Sequence, residues 1–301
     1  MFSIIIPTLN NLKYLKVCLN SLKKNSKYDH EIIPHVNIGS DGTLDFLREN
    51  NIKYTYTDYN AGICKGMNLA SRLASNNYIL YAHDDFYFCP NWDELLKKEI
   101  ELIGHNNFYL SGTMINKGQI DFNCGKTADE FNEKKFLDNY KEYNYYDFQG
   151  STWAPHLIHK DIWNKVGGFS EEFYPGTGSD PDLNMKLWKI GVRIFKGIND
   201  FKVYHFGSIV TRKYKDDKKI ITESGSRGGK IFLLKWGISI RFFKKFFLQS
   251  DTRYNGPLNE PKISLNYLLN LIINKLNYLY LKYIYKFDNK INYPKNEIIK
   301  N

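Results

Sequence analysis

The first hundred residues alternate strictly between short apolar runs and stretches of helical period, and that alternation leaves few folds open. Phe2-Ser3-Ile4-Ile5-Ile6 is an apolar strand stopped by Pro7 and followed by helix-start residues, Thr8-Leu9-Asn10-Asn11. Leu12, Leu15, Leu19 and Leu22 then recur at helical spacing and predict a helix covering one face of a sheet. A second strand, Glu31 to Ile38, runs into Gly39-Ser40-Asp41-Gly42-Thr43, a turn whose donors are expected to approach a ligand. Ile52 to Thr57 reads as a third strand, entering Asn60-Ala61-Gly62 and a helix to about Ala74, and Tyr78 to Ala82 reads as a fourth. Such alternation predicts an α/β fold: a Rossmann-like, mostly parallel sheet with helices on both faces.

The fourth strand ends in His83-Asp84-Asp85. Two adjacent carboxylates at the tip of a buried strand are costly unless something cationic neutralises them. In open α/β sheets the carboxyl ends of the strands are where ligands bind. Carboxylate oxygens suit Mg²⁺ or Mn²⁺, ions held by one or two carboxylates together with substrate phosphates. The pair therefore suggests a metal held against a diphosphate. A solvated turn, or a cap for the helix near Asn91, would leave the same residues there.

Further motifs fall in a recognisable order. Ile4-Ile5-Ile6-Pro7-Thr8-Leu9-Asn10, the Gly39–Thr43 turn, Asn60-x-Gly62 and Asp84-Asp85 resemble the family 2 glycosyltransferases in order and spacing. Val166-Gly167-Gly168-Phe169, Gly178-Ser179-Asp180-Pro181-Asp182-Leu183 and Val203-Tyr204-His205-Phe206-Gly207 are similar to that family's acceptor-side motifs, so the resemblance covers about residues 2 to 212. It implies the GT-A fold, a nucleotide-sugar donor bound with a divalent metal (Mn²⁺ or Mg²⁺), and transfer with inversion at the anomeric carbon. By motif position it puts Asp85 and His205 at the metal and Asp84 near the ribose or sugar. It sets Pro7, Thr8, Asn10 and Asn37 around the nucleoside, with Lys65 near the nucleoside or the diphosphate. Asp180 becomes the general base, and Trp153, Asp182 and Trp236 fall on the acceptor side. Two residues depart from the pattern: Asn37 stands where an acidic residue usually reads the base, and His83 where the metal motif is often acidic.

The chemistry such a site must perform is simple to state. Displacing a nucleoside diphosphate needs a neutralised leaving group, a task that Lys65, Arg212 and Lys213 are placed to share with a metal. It also needs a carboxylate to take the acceptor's proton, a contribution of roughly 10²–10⁴-fold. Asp180 has a structural reading beside the catalytic one, because Asp180-Pro181 looks like an N-cap followed by the first helical residue, with Gly191 closing the helix. His205 likewise reads either as a metal ligand or as a histidine bonded within the core of a short strand, 201–206.

Composition bounds the rest. At 301 residues, 43% hydrophobic and 25% charged, the chain suits a folded globular protein. Cys18, Cys64, Cys89 and Cys124 show no paired spacing, and strand residues begin at Phe2, so a cytoplasmic location without signal peptide or spanning helix is expected. We expect a nucleotide-sugar-binding half at 1–112, an acceptor-side half at 113–236 and a helical C-terminal extension at 237–301. The extension reads as amphipathic helices with basic polar faces, suited to peripheral contact with a membrane carrying a lipid-linked acceptor, to packing on the domain, or to an oligomer contact. The net charge of +10 is unsupported by any nucleic-acid-binding motif. Rival functions are a catalytically silent nucleotide-sugar binder and a nucleotidyltransferase, although the latter's glycine- and arginine-rich loop after the first strand is missing from Pro7-Thr8-Leu9-Asn10.

Overall fold

The computed structural model describes residues 1–207 and 217–287, with the side chains of 217–226 and 285–287 outside that description. Arg212 and Lys213, expected beside the leaving group, lie outside the described residues. Strands β1 (Phe2–Leu9), β2 (Glu31–Asn37), β3 (Thr55–Thr57) and β4 (Tyr78–Tyr81) pair in parallel, connected through helices α1 (Leu12–Lys24), α2 (Thr43–Glu49) and α3 (Gly62–Arg72). The apolar spacing read in α1 is realised, with Leu15, Leu19 and Leu22 buried. α3 packs against β1 and β2.

Beyond β4 come β5 (Phe86–Phe88), α4 (Trp92–Ile103), β6 (Phe108–Ile115), α5 (Glu133–Asn139), β7 (Phe148–Gln149), β8 (His156–His159), α6 (Lys160–Val166), α7 (Ser179–Lys189) and β9 (Ile194–His205). The strands form one sheet in the order β3-β2-β1-β4-β8-β6-β9-β5, with β7 paired to β9. β6 and β9 run with the first four strands, while β5, β7 and β8 oppose them. Strand order turns at β1: β2 lies on one side of it and β4 on the other. Crevices that bind ligands form at such switch points.

Three elements differ from the sequence expectation. β1 does not stop at Pro7 but continues to Leu9 along β2, since β4 ends opposite Ile5 and leaves Pro7 no ladder to break on that side. β3 is confined to Thr55–Thr57. β9 is a long strand of which the expected 201–206 segment is only the end, and its Gly197 lies under the Phe148 ring, where a Cβ would come within 1.9 Å.

A single apolar core runs from Phe2 to Leu258, and a second, aromatic-rich cluster gathers Tyr87, Phe136, Tyr140, Tyr204 and Phe206. After α8 (Asp217–Trp236) the chain makes α9 (Ile240–Phe242) and a π-helical turn (Phe243–Phe247). Phe243, Leu248 and Leu258 enter the main core, so the chain after 237 is integral to the domain as far as Leu258. The final helix, α10 (Leu265–Phe287), is largely exposed. Among the described residues, no helix is long and apolar enough to cross a membrane. The four cysteines are free and buried.

Candidate active site

The end of β1 and the segment after β4 bring polar side chains together at the switch point. Asp84 and Asp85 are both buried, at 6% and 5% exposure. Burial, then the neighbouring Asp85, push the Asp84 carboxyl well above the usual range, while Thr8 and Asn11 partly hold it down. Thr8 Oγ1, Asn11 Nδ2 and Asp84 Oδ2 are buried together and, beyond the pull of Thr8 and Asn11 on the Asp84 carboxyl, make no well-formed hydrogen bond. Orphaned buried polar atoms are rare in native structures because each costs about 1–3 kcal/mol. Three under-satisfied polar atoms gathered at the switch point suit a polar ligand.

Asp85 lies beside two imidazoles. His83, Asp85 and His205 each offer one ligand atom, and these atoms all lie within 4.8 Å of one another. β5 pairs antiparallel with the end of β9, setting Phe86 opposite His205, which is how a residue far along the chain reaches Asp85. His205 Nε2 is 3.4 Å from Asp85 Oδ2. His205 Nδ1 donates to the Lys117 carbonyl at 3.4 Å, which orients the ring with Nε2 toward the carboxylate. Burial holds His83 down to about 4, so its ring is neutral near neutral pH and can act as a donor to a metal. The set fits a divalent cation: one hard oxygen, two imidazole nitrogens, and adjacent acids in need of positive charge.

Asp180 occupies the first turn of α7. The helix begins two residues earlier than the sequence suggests, at Ser179, because Gly178 adopts a left-handed conformation (φ 89°) as N-cap. The capping reading of Asp180 is therefore corrected, and no side-chain cap bond is made. Pro181 is tolerated because N–H groups of the first helical turn have no intrahelical partner to lose. Asp180 Oδ1 is buried with no partner, and burial raises the carboxyl to about 7. Tyr81 links the two halves of the site: both Asp180 and Asp84 raise its hydroxyl, after the larger effect of burial, and the hydroxyl bonds His83 Nε2 at 2.9 Å.

Other expected site residues have internal duties. Asn37 donates to the Thr8 carbonyl at 3.3 Å and accepts from Ala61 N at 2.8 Å, joining β1 to the start of α3. Asn10 Oδ1 accepts from Ser40 N at 2.8 Å, and Gly39 N donates to the Asn37 carbonyl. Asp41 accepts from Leu12 N and Thr43 N. The Gly39, Ser40 and Thr43 N–H groups of the turn are thus used within the protein. Pro7 is half-buried in β1. Lys65, half-exposed on α3, donates to the Tyr59 hydroxyl at 2.7 Å.

The acceptor-side expectations divide in the same way. Asp182 is fully buried and accepts from Ser170 Oγ at 2.6 Å and Trp236 Nε1 at 2.8 Å, with Lys235 Nζ at 3.0 Å. That corrects its expected contact with acceptor: Asp182 and Trp236 tie α8 to α7. Trp153 is half-buried, stacked on Phe148 at 5.4 Å, with Nε1 buried and unpartnered. His83, Tyr81 and Asn11 are site residues that sequence reasoning passed over. For His83 the signal was present, as a histidine adjoining the acidic pair. A cavity of about 500 Å³ lined by Asn123, Lys126, Glu130 and Lys135 shares none of these residues.

Comparisons with known proteins agree with this architecture. The sequence profile described as Glycosyl transferase family 2 matches residues 3–163. A structure of S. aureus TarS 1-349 in complex with UDP-GlcNAc superposes with a TM-score of 0.52 at 17% identity, covering 93% of this chain and 81% of that one. The same TarS fragment in complex with UDP gives 0.51 at 15% identity, over 81% and 72% of the two chains. A longer S. aureus TarS structure gives 0.52 at 17% identity, covering 76% of this chain, which spans only 41% of it. These likenesses show a shared GT-A-type fold. No curated protein sequence matches significantly.

Proposed function

This chain belongs to glycosyl transferase family 2 and is a glycosyltransferase, and from that premise we propose a metal-dependent, inverting transfer in a single displacement. The sugar moves from a nucleoside-diphosphate donor to a hydroxyl of a glycan or lipid-linked glycan. One observation carries the reading: an Asp180 carboxyl with one oxygen buried and unpartnered, raised to about 7, raises the same tyrosine hydroxyl as Asp84 does. A base with a pKa near working pH is ionised often enough to act and still basic enough to take a proton.

In this reading Thr8, Asn11 and Asp84 receive the polar groups of the donor, which supply the missing hydrogen-bond partners. His83, Asp85 and His205 hold the cation. Bound there, a divalent ion neutralises charge building on the leaving diphosphate. Two nitrogen donors beside one carboxylate favour Mn²⁺ over Mg²⁺, which prefers an all-oxygen shell. The acceptor hydroxyl gives its proton to the Asp180 carboxylate as its oxygen bonds to the anomeric carbon. The bond from that carbon to the diphosphate oxygen breaks on the opposite face, so configuration inverts and no covalent enzyme intermediate forms. Uridine diphosphate sugars are the first donors to test, given the UDP and UDP-GlcNAc complexes of TarS. The halves 1–112 and 113–236 then serve donor and acceptor, and the exposed α10 of the C-terminal extension 237–301 is the part that meets a membrane.

The test is release of nucleoside diphosphate from a panel of nucleotide-sugars with Mn²⁺ or Mg²⁺. Turnover that needs the metal and is abolished by Asp180→Asn supports the assignment. Donor binding without turnover under every condition identifies a silent binder instead.

A further inference from the structure

Helix α10 turns its larger apolar face away from the protein. Its protein-facing side is mixed: Tyr267 packs on Phe242 and Phe246, while Asn274 is 7% exposed, accepting from Ser239 N at 2.6 Å and donating to the Asn270 carbonyl at 2.7 Å. Its solvent side is apolar, with Leu269, Ile272, Ile273, Leu276, Leu279 and Tyr283 each more than half exposed. A helix that only covered a core would present the reverse pattern. Exposed apolar faces of this extent mark interaction sites.

Charge identifies the occupant. Residues 237–301 hold eleven Lys and Arg against four Asp and Glu, a net of +7 out of the chain's +10. No acidic residue lies within α10, and Lys275 and Lys282 flank one edge of the apolar face two turns apart. Face-to-face pairing with a second copy would bring two such basic segments together with no acid on either helix to pair them. The apolar face also extends past a two-residue-per-heptad seam, since Ile273 adjoins Ile272 on it. An anionic bilayer satisfies both properties, and α10 does not meet the length and hydropathy of a spanning helix.

We infer that α10 lies in the plane of an anionic membrane surface, with its Leu- and Ile-rich face among the upper acyl chains and its lysines at the phosphates. This deepens the proposed function, on which it rests only for the idea of a lipid-linked acceptor. The experiment is co-sedimentation of the full chain with vesicles of phosphatidylcholine, with and without about one-third phosphatidylglycerol. Binding should depend on the anionic lipid. I272N/L276N, at positions facing solvent in the free protein, should weaken it at least about tenfold. K275Q/K282Q should weaken it about fivefold per lysine on anionic vesicles alone. Parent protein that ignores anionic vesicles overturns the inference. So does either variant binding like the parent, or a parent dimer that I272N/L276N converts to monomer. Donor turnover measured without vesicles separates the two ideas: its absence from parent and variants alike defeats the enzymatic reading and leaves the docking result intact.

Discussion

The two ends of the sheet treat buried acids in opposite ways. At the strand N-termini, Asp93 is fully buried, and burial alone would raise its pKa. His30 at 3.0 Å and the N–H groups of Lys27 and Tyr28, each at 2.9 Å, outweigh that and bring it below the ordinary value. Glu31, also pushed up by burial, is brought down by Ser3, Ser75 and Lys53. At the strand C-termini, Asp84 and Asp180 are left with unpartnered oxygens and raised pKa values. Asp182 shows that the contrast is one of partners rather than of sequence neighbourhood, because it sits a half-turn from Asp180 and is fully bonded. Where partners are built in, the acid holds the fold together; where they are withheld, the acid awaits a ligand.

Asp180→Asn breaks the comparison most severely. Removing the base should lower transfer at least about a hundredfold, near 3 kcal/mol of transition-state stabilisation. In the parent, kcat/KM should rise with pH and level off above about 7, as Asp180 loses its proton. A variant retaining more than a tenth of parental turnover would show that Asp180 is not the base.

Asp93→Asn tests the other end. An amide cannot accept all the bonds that the carboxylate takes, so chemical denaturation should show a loss of about 2–4 kcal/mol. Transfer per folded molecule should be unchanged. Because the folded pKa of Asp93 lies below its unfolded value, its contribution is present above about 3.8 and is lost as pH falls through the folded value. The variant should therefore lose less stability than the parent between pH 5 and pH 2, a span set by ordinary carboxylate values of about 4. Equal acid sensitivity in both proteins would remove Asp93 from the account.

Asp180→Asn should also move stability in the opposite direction. A carboxyl raised from 3.8 to about 7 favours the folded state below pH 3.8 and disfavours it progressively as pH rises through 7. The penalty on the ionised form is at most about 4 kcal/mol. Relieving even a quarter of it should raise Tm by a few degrees at pH 8 and leave it unchanged at pH 3. An N-cap would have behaved otherwise, since Asn and Asp cap about equally. No gain at pH 8 would mean that the ionised carboxylate is well solvated.

Sequence spacing made the donor end of the sheet legible because strand ends there are local events: an apolar run stops and polar residues follow. The opposite half was less legible because its elements depend on distant partners. β9 contains Gly197, Asn199 and Asp200, residue types uncommon within strands, yet the Phe148 ring on β7 covers Gly197 and the strand continues. Asp180-Pro181 has the composition of a helix start, but Gly178 supplies the left-handed residue that starts α7 earlier. Asp182 could not be separated from Asp180 before α8 brought Trp236 and Lys235 against it. His83 was visible as a departure from an acidic motif but not as a donor, because its companion His205 arrives on β9.

His83 gives the smallest and sharpest test. Replacing it with aspartate makes the donor set mostly oxygen, the arrangement expected of the motif, at the cost of its bond to Tyr81. If the neutral imidazole is a ligand, H83D should narrow the preference for Mn²⁺ over Mg²⁺ by about tenfold, roughly 1.4 kcal/mol. Calorimetric titration of each ion into the donor-free protein reads this without any reaction. Electron paramagnetic resonance of bound Mn²⁺ should show a changed ligand field. His205→Asp should shift the preference in the same direction, because both rings lie within 4.8 Å of the same carboxylate. An identical Mn²⁺ to Mg²⁺ ratio in parent and H83D, beside a changed one in H205D, would remove His83 from the cation's shell. It would then be a partner for Tyr81, with the acids at this end of the sheet served by one histidine, as Asp93 is served by His30 at the other.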